Sequence, residues 1–185
     1  MLASIGVAVG MAIVNARLFE EHKDRSEKRA AMNSIAAAIA STLNIEDIYT
    51  ILARELRHII YYDRLTVGLL TPEGDAISIL QLGQAEQMPM RQRLEDTALS
   101  EVIKTGEPRI YRDLALEASD YPLSKRLVEM GLHSCLLAPL SAKGKLLGTL
   151  NILSREVGHY SQADLEYIRP IADQLAVALS QARLF

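Results

Sequence analysis

The stretch of sequence that decides the fold reads GLHSCLLAPLSAKGKLLGTLNILS, residues 131–154. Two apolar runs, His133 to Leu140 and Leu146 to Leu153, lie on either side of the dipeptide Lys143-Gly144. Apolar runs that flank a short glycine-containing turn are typical of a β-hairpin. We therefore predict two long neighbouring strands here, with Pro139 near the end of the first and Gly148 where the second passes close to a neighbour.

The sequence on both sides of this hairpin predicts a mixture of strands and helices. Residues 64–70 and 76–82 form a second hairpin around a proline-glycine turn, and residues 109–111 form a short strand. Periodic apolar positions predict helices over residues 45–60, 97–104, 123–130 and 161–185. The order of these elements predicts an α+β fold in which an antiparallel sheet carries helices on its faces.

The start of the chain resembles its end. Residues 16–19 and residues 182–185 both read Ala-Arg-Leu-Phe, and the similarity extends further back at a constant offset of 166. Self-similarity at a fixed spacing indicates a repeated unit, so the first helix is interpreted as the last helix of a preceding unit. We predict a connector helix over residues 1–31, a folded domain over 32–168 and an output and dimerisation helix over 169–185.

The two terminal helices share a stripe of small and apolar residues at three- and four-residue spacing. Such a stripe predicts a dimer seam between parallel helices, although a wide stripe facing the domain's own core is the alternative. The seam residues are Ile5, Val9, Ala12, Ala16, Phe19, Ile171, Leu175, Ala178, Ala182 and Phe185. Pro170 lies inside the second copy and predicts a kink or a short break near residues 167–170.

Composition limits the possible functions. The chain has 185 residues, 49% of them apolar, a net charge of −3 and no basic cluster, so nucleic acid is not an expected partner. The one cysteine, Cys135, leaves no internal disulfide and suits a reducing compartment. The apolar opening, residues 1–14, has no basic flank and is too short to cross a bilayer. We expect a cytoplasmic protein without membrane association.

Several short motifs, taken in order, resemble GAF domains. They are Gly106-Glu107-Pro108, then Asp113, residues 131–140, residues 144–152, and Tyr160-Ser161 before an aspartate in the last helix. The resemblance covers roughly residues 32–185. It implies a six-stranded antiparallel sheet, with long terminal helices on the side of dimer contacts and a ligand pocket on the other. It further implies covalent linkage to signalling modules such as histidine kinases, cyclic-dinucleotide enzymes or transcription activators.

By the same resemblance, residues 107–127 form part of the pocket wall. The candidate ligand-binding residues are Arg109, Tyr111, Asp113 and Tyr121, with His133 on the adjoining strand. The alternative for any one of them is structural, with Asp113 capping a turn and the arginine in solvent.

The chemistry-bearing residues do not predict a cofactor. The four histidines have no metal-ligand spacing among themselves or with Cys135, which lies in an apolar strand and is expected to be an inert thiol. Relative to family members, the chain lacks the bilin-attachment cysteine, the cyclic-nucleotide signature and the several cysteines of methionine-sulfoxide-reducing relatives.

These observations favour a regulatory sensory domain of a signal-transduction protein, such as a histidine kinase of a two-component system. It would bind a small-molecule effector and relay the signal through its terminal helices in a homodimer. The alternative is a structural dimerising spacer without a ligand. An enzyme is the least supported hypothesis, because no nucleophile, base or metal constellation can be assembled.

Overall fold

One six-stranded sheet organises the chain. The computed structural model describes residues 11, 13–20, 23, 26, 30, 33–35, 37–39, 41–42, 44–82 and 90–182. The strands are β1 (Arg64–Leu70), β2 (Ala76–Gln81), β3 (Met90–Arg93), β4 (Arg109–Tyr111), β5 (Ser134–Ala142) and β6 (Lys145–Ser154). The helices are α1 (Ile45–Leu56), α2 (Leu99–Thr105), α3 (Leu114–Glu117), α4 (Pro122–Glu129) and α5 (Gln162–Ala182). The strand order is β3-β2-β1-β6-β5-β4 and every pairing is antiparallel, which confirms the predicted α+β class.

The central hairpin forms where the sequence predicts it. Lys143 and Gly144 both have positive φ, 51° and 74°, as the two-residue turns that match strand twist require. In β6, a side chain is excluded at Gly148 because a Cβ atom there would lie 1.8 Å from the carbonyl oxygen of Gly68. This close approach allows β1 and β6 to pair in register from Arg64 to Leu69.

Side-chain caps account for the ends of the helices. The Asn44 side chain accepts a hydrogen bond of 2.9 Å from the backbone N–H of Glu46 and so begins α1. Before α5, Asp164 Oδ2 accepts hydrogen bonds from the backbone N–H and the hydroxyl of Ser161. Gly106, at φ 70°, ends α2 in the left-handed conformation.

Each face of the sheet covers its own apolar cluster. On one face, α1, α5 and the helical residues Ile35 and Ile39 pack over strand residues such as Leu150 and Ile152 of β6. On the other face, α2, α3 and α4 pack over strand residues such as Leu137 and Leu153. Because side chains alternate along a strand, β6 contributes to both clusters and connects the two layers.

Four details differ from the sequence-based predictions. Strand β3 and helix α3 were not predicted. Pro139 lies inside β5 rather than at its end. It is tolerated there because the pairing with β4 stops at Leu137, so that β5 is an edge strand at Pro139. Helix α5 continues through Pro170 without a break, because both Pro170 and Glu166 face solvent, where water can satisfy the freed carbonyl group. The domain boundary at 168/169 stays a prediction; it lies within this helix, whose buried residues continue to Leu179.

The terminal-helix seam separates into two parts. Every described residue between 11 and 39 is helical, and Ala16 and Phe19 are exposed. In contrast, Ile171, Leu175 and Ala178 are buried in the chain's own core, so the core-facing alternative holds for them and the seam assignment is wrong there. Ala182 is half-buried against the same core. Ile5, Val9, Ala12 and Phe185 lie outside the described residues.

Candidate ligand-binding cavity

A small cavity lies between the sheet and the layer formed by α2, α3 and α4. Its volume is about 60 Å³, below the several hundred Å³ of typical small-molecule sites. The walls are mainly aliphatic, and the helices contribute Leu99, Leu114, Leu123 and Leu127. Residues 107–127 therefore form part of the wall, as the family resemblance implied, but through apolar side chains rather than polar ones.

Two polar side chains of the sheet line this apolar cavity. Asn151 of β6 and Thr66 of β1 are register partners, and Asn151 Nδ2 donates a hydrogen bond of 3.0 Å to Thr66 Oγ1. Asn151 is 3% exposed, and its Oδ1 atom has no hydrogen-bond partner among the described residues. A buried polar atom without a partner costs free energy, so this amide is ready to bind a group that enters the cavity.

Arg64 supplies the charge of the site. It lies two residues before Thr66 on β1, pairs in register with Leu153 and lines the same cavity. Among the described residues that line the cavity, Arg64 alone carries a charge, and within that part of the chain it forms no ion pair. Its Nη1 atom lies 3.8 Å from the sulfur of Met130, and burial lowers the pKa of the guanidinium group.

Three of the predicted ligand residues meet outside the cavity, around Glu101 of α2. The Glu101 carboxylate lies 3.0 Å from Arg109 Nη1 and accepts a hydrogen bond of 2.9 Å from the hydroxyl of Tyr121. The Arg109 guanidinium lies over the ring of Tyr111, 5.1 Å from its centroid. Burial raises the pKa of Tyr111, and the charge of Glu101 adds to the effect. Arg109 and Tyr121 thus share the Glu101 carboxylate and join α2, β4 and the start of α4, whereas the buried hydroxyl of Tyr111 has no hydrogen-bond partner among the described residues.

The other two predicted residues have local structural roles. Asp113 is the N-cap of α3 and accepts a hydrogen bond of 2.9 Å from the backbone N–H of Ala115, which is the structural alternative considered for it. His133 donates its backbone N–H to the carbonyl of Ser154, and its own carbonyl accepts from the N–H of Leu114. None of the five candidate residues lines the cavity described here.

Sequence reasoning missed Arg64, Thr66 and Asn151 as site residues. A signal existed for Thr66 and Asn151, since each is a polar residue between two aliphatic ones in a strand, whereas Arg64 follows Asp63 at the start of β1 and gave no such signal. In a strand buried on both faces, a polar side chain must find a partner or serve a ligand. Recognising the pair required the register, because Thr66 and Asn151 are 85 positions apart in the chain.

Cys135 and the potential metal ligands complete the description of the reactive groups. Cys135 lines the cavity, but burial raises the pKa of its thiol to about 12, which keeps it protonated at neutral pH. Within the described ranges, no group of three or more potential ligands could hold a metal ion. In the same part of the chain, no helix is long and apolar enough to cross a membrane.

The sheet order and the two helical layers define an α+β domain with a small, mainly apolar cavity on one face of the sheet. Residues 44–179 match the model of the GAF domain family, and the chain belongs to this family. GAF domains are typically regulatory modules that bind small molecules within signalling proteins.

Comparison with individual proteins gives the same fold. The chain is 26% identical over 176 residues to the DNA-binding transcriptional activator HyfR of Escherichia coli; the match covers 90% of this chain and 25% of HyfR. The chain thus spans about a quarter of that relative's length.

Two solved structures of lower identity share the fold. The GAF domain of a phosphoenolpyruvate-protein phosphotransferase from Coxiella burnetii superposes with a TM-score of 0.74 at 20% identity, covering 85% of this chain and 95% of that one. A free methionine-R-sulfoxide reductase from Neisseria meningitidis superposes with a TM-score of 0.70 at 16% identity, covering 85% and 90%.

Proposed function

We propose that this chain is a sensory domain that binds a small molecule in the cavity between β1, β6 and α2–α4, without catalysing a reaction. The observation that carries this proposal is the buried amide of Asn151, which lines a mainly aliphatic cavity and whose oxygen has no hydrogen-bond partner among the described residues. The family membership supports the same role. The protonated thiol of Cys135 supports binding rather than the redox chemistry that the name of the Neisseria relative describes.

The signal would leave the site through β6. Asn151 and Leu153 line the cavity, whereas Leu150 and Ile152 belong to the cluster beneath α5. A ligand that shifts β6 by a fraction of an ångström therefore changes the surface on which α5 packs. We infer that α5 passes this change to a covalently linked output domain in the cytoplasm, such as a histidine kinase or, as in HyfR, a transcription activator.

A homodimer through the N-terminal helix completes this proposal. The described residues of that helix expose large apolar side chains, with Ile13 at 64% and Phe19 at 72%. Light scattering should give the mass of a dimer, and the double substitution Ile13→Ser/Phe19→Ser should give a monomer. The matched control Val157→Ser removes an apolar group that is equally exposed, at 61%, but lies outside the helix, and it should leave the dimer intact. A monomeric wild-type chain at high concentration would refute the dimer.

A thermal-shift screen of the 185-residue chain against a metabolite library tests ligand binding. A ligand at a hundred times its Kd should raise the stability by about 2.7 kcal/mol. Ala98→Leu extends a buried side chain into the cavity and should abolish the shift, while Ala115→Leu adds the same atoms at an exposed position of α3 and should preserve it. A shift that survives Ala98→Leu would show that the ligand binds elsewhere.

A structural spacer is the second candidate, and the small volume of the cavity favours it. In that case no compound in the screen would raise the melting temperature, and Ala98→Leu would stabilise the chain by filling unused space.

A further inference from the structure

We infer that the cavity takes a short-chain aliphatic carboxylate, with its carboxylate at Arg64 and a hydrogen-bonding group at Asn151. This inference rests on the proposed function and specifies the chemical class of its ligand. It follows from three properties of the site, which are the sign of its charge, its size, and the spacing of its polar groups.

The charge selects an anion with one negative group. Arg64 is the one charged side chain among the described residues that line the cavity. A guanidinium group binds a carboxylate through two parallel hydrogen bonds, and burial strengthens such a pair because it reduces competition from water. A phosphate dianion would need a second cation or a set of backbone N–H groups, and the described lining residues supply no second cation.

The size and the walls select a short aliphatic body. A volume of about 60 Å³ leaves room for roughly four to six non-hydrogen atoms. Leu99, Leu123 and Leu153 enclose this space and offer no hydrogen bonds to the ligand. An aliphatic chain gains free energy from burial against these walls, whereas a polyol or a sugar would lose its bonds to water.

The spacing of the polar groups selects a second hydrogen-bonding group at the far end of the ligand. Arg64 and Thr66 lie two positions apart on the same face of β1, and Asn151 pairs with Thr66. Two positions along a strand separate the Cα atoms by about 6.6 Å. The two polar groups therefore act at different places along the cavity, and the free oxygen of Asn151 can accept a hydrogen bond from a hydroxyl group at the other end of the ligand. A chain of three carbons with a terminal hydroxyl, as in 3-hydroxypropionate, has a polar group at each end and stays within the size limit.

Isothermal titration of the 185-residue chain with propionate, 3-hydroxypropionate, propionamide and 1-propanol tests the inference. Both acids should bind, the hydroxy acid more tightly, and the two neutral compounds should bind at least tenfold more weakly. Arg64→Gln should weaken acid binding about tenfold to a hundredfold, because a charge-assisted hydrogen bond is lost. Arg64→Lys keeps the charge and should retain part of the affinity. Comparison of the two variants separates the loss of charge from a general effect of replacing Arg64 on folding.

A second pair of variants tests the far end of the ligand. Asn151→Leu should reduce the preference for 3-hydroxypropionate over propionate by about two- to tenfold. Thr149→Val is the matched control. It removes a second buried oxygen of β6, a hydroxyl that has no partner among the described residues and does not line the cavity. Binding should be unchanged in this control.

The possible failures are distinguishable from one another. Equal binding of acids and neutral compounds, or an unchanged affinity in Arg64→Gln, would overturn the assignment of a carboxylate. Absence of binding by both acids, while the metabolite screen finds another ligand that Ala98→Leu blocks, would also overturn it and leave the proposed function intact. If no compound in either experiment binds, the sensory function fails together with the ligand class.

Discussion

Thr66 and Asn151 form the polar floor of the cavity. Replacing both by aliphatic residues should stabilise the chain and abolish the ligand response proposed above. The perturbation is the double substitution Thr66→Val/Asn151→Leu. In the structure these residues share one hydrogen bond of 3.0 Å, and the Asn151 oxygen has no partner in the described part of the chain. The double variant therefore loses one satisfied bond and removes one unsatisfied buried atom.

The expected magnitude follows from these two terms. A net hydrogen bond is worth about 0.5–1.5 kcal/mol, and an unsatisfied buried polar atom costs about 1–3 kcal/mol. The added methyl groups gain about 0.8 kcal/mol for each carbon buried, and the cavity gives them room. We expect a net gain of about 1–2 kcal/mol in the free energy of unfolding. For a chain of 185 residues this corresponds to a rise of roughly 2–8 °C in the melting temperature.

Urea unfolding followed by circular dichroism gives the free energy, and calorimetry gives the melting temperature. Asn151→Leu alone should gain less than the double variant, because it leaves the Thr66 hydroxyl without its partner. A double variant that is less stable than wild type by 1 kcal/mol or more would refute the reasoning, since it would mean that the Asn151 oxygen is already satisfied in the free protein.

Three further predictions concern the scaffold. Gly148→Ala should lower the free energy of unfolding by about 3 kcal/mol or more, measured by urea titration, because its Cβ would meet the carbonyl oxygen of Gly68. Lys143→Asn should raise it by about 0.5–1 kcal/mol in the same assay, since asparagine tolerates the positive φ at that position better. Burial raises the pKa of Asp63, but hydrogen bonds, first that from the backbone N–H of Arg155, lower it overall. This stabilisation is present above the unfolded pKa of about 4 and is lost as the pH falls through the lower folded value, so Asp63→Asn should destabilise at pH 7 and progressively less in acid.

Much of the fold could be predicted because its signals are local. Strands β1 and β4 have the predicted bounds, and the second long hairpin forms around Lys143-Gly144 as predicted. Strand β3 has no such signal, because it reads Met-Arg-Gln-Arg and lies at an edge of the sheet with mostly exposed side chains. Helix α5 carries an apolar stripe that suits either a partner helix or the domain's own core, and only the packing distinguishes the two for Ile171.

The site could not be predicted to the same degree, for a physical reason. Polar residues such as Arg109 and Tyr121 are the natural candidates for ligand binding in a sequence. In the structure, however, both bind the carboxylate of Glu101, which is not adjacent to either of them in the chain. The cavity instead depends on the shapes of side chains from eight elements, namely β1, β2, β3, β5, β6, α2, α3 and α4. Its polar floor depends on a strand register that brings Thr66 to Asn151.

The size of the cavity limits how strong a signal the domain can transmit. A ligand of about six non-hydrogen atoms, at no more than about 1.5 kcal/mol per atom, has little binding energy beyond that needed for its own affinity. At a concentration of a hundred times Kd, even complete selectivity for one conformation shifts the equilibrium by only about 2.7 kcal/mol. If the domain acts as proposed, the two packings of α5 between which the ligand selects must be nearly equal in free energy before the ligand binds. The Asn151 amide of β6 would meet this requirement, because its oxygen has no partner among the described residues and so weakens the free state at the strand that also carries Leu150 and Ile152. The destabilisation of the ligand-free domain by Asn151 would then help so small a ligand to change the packing of α5.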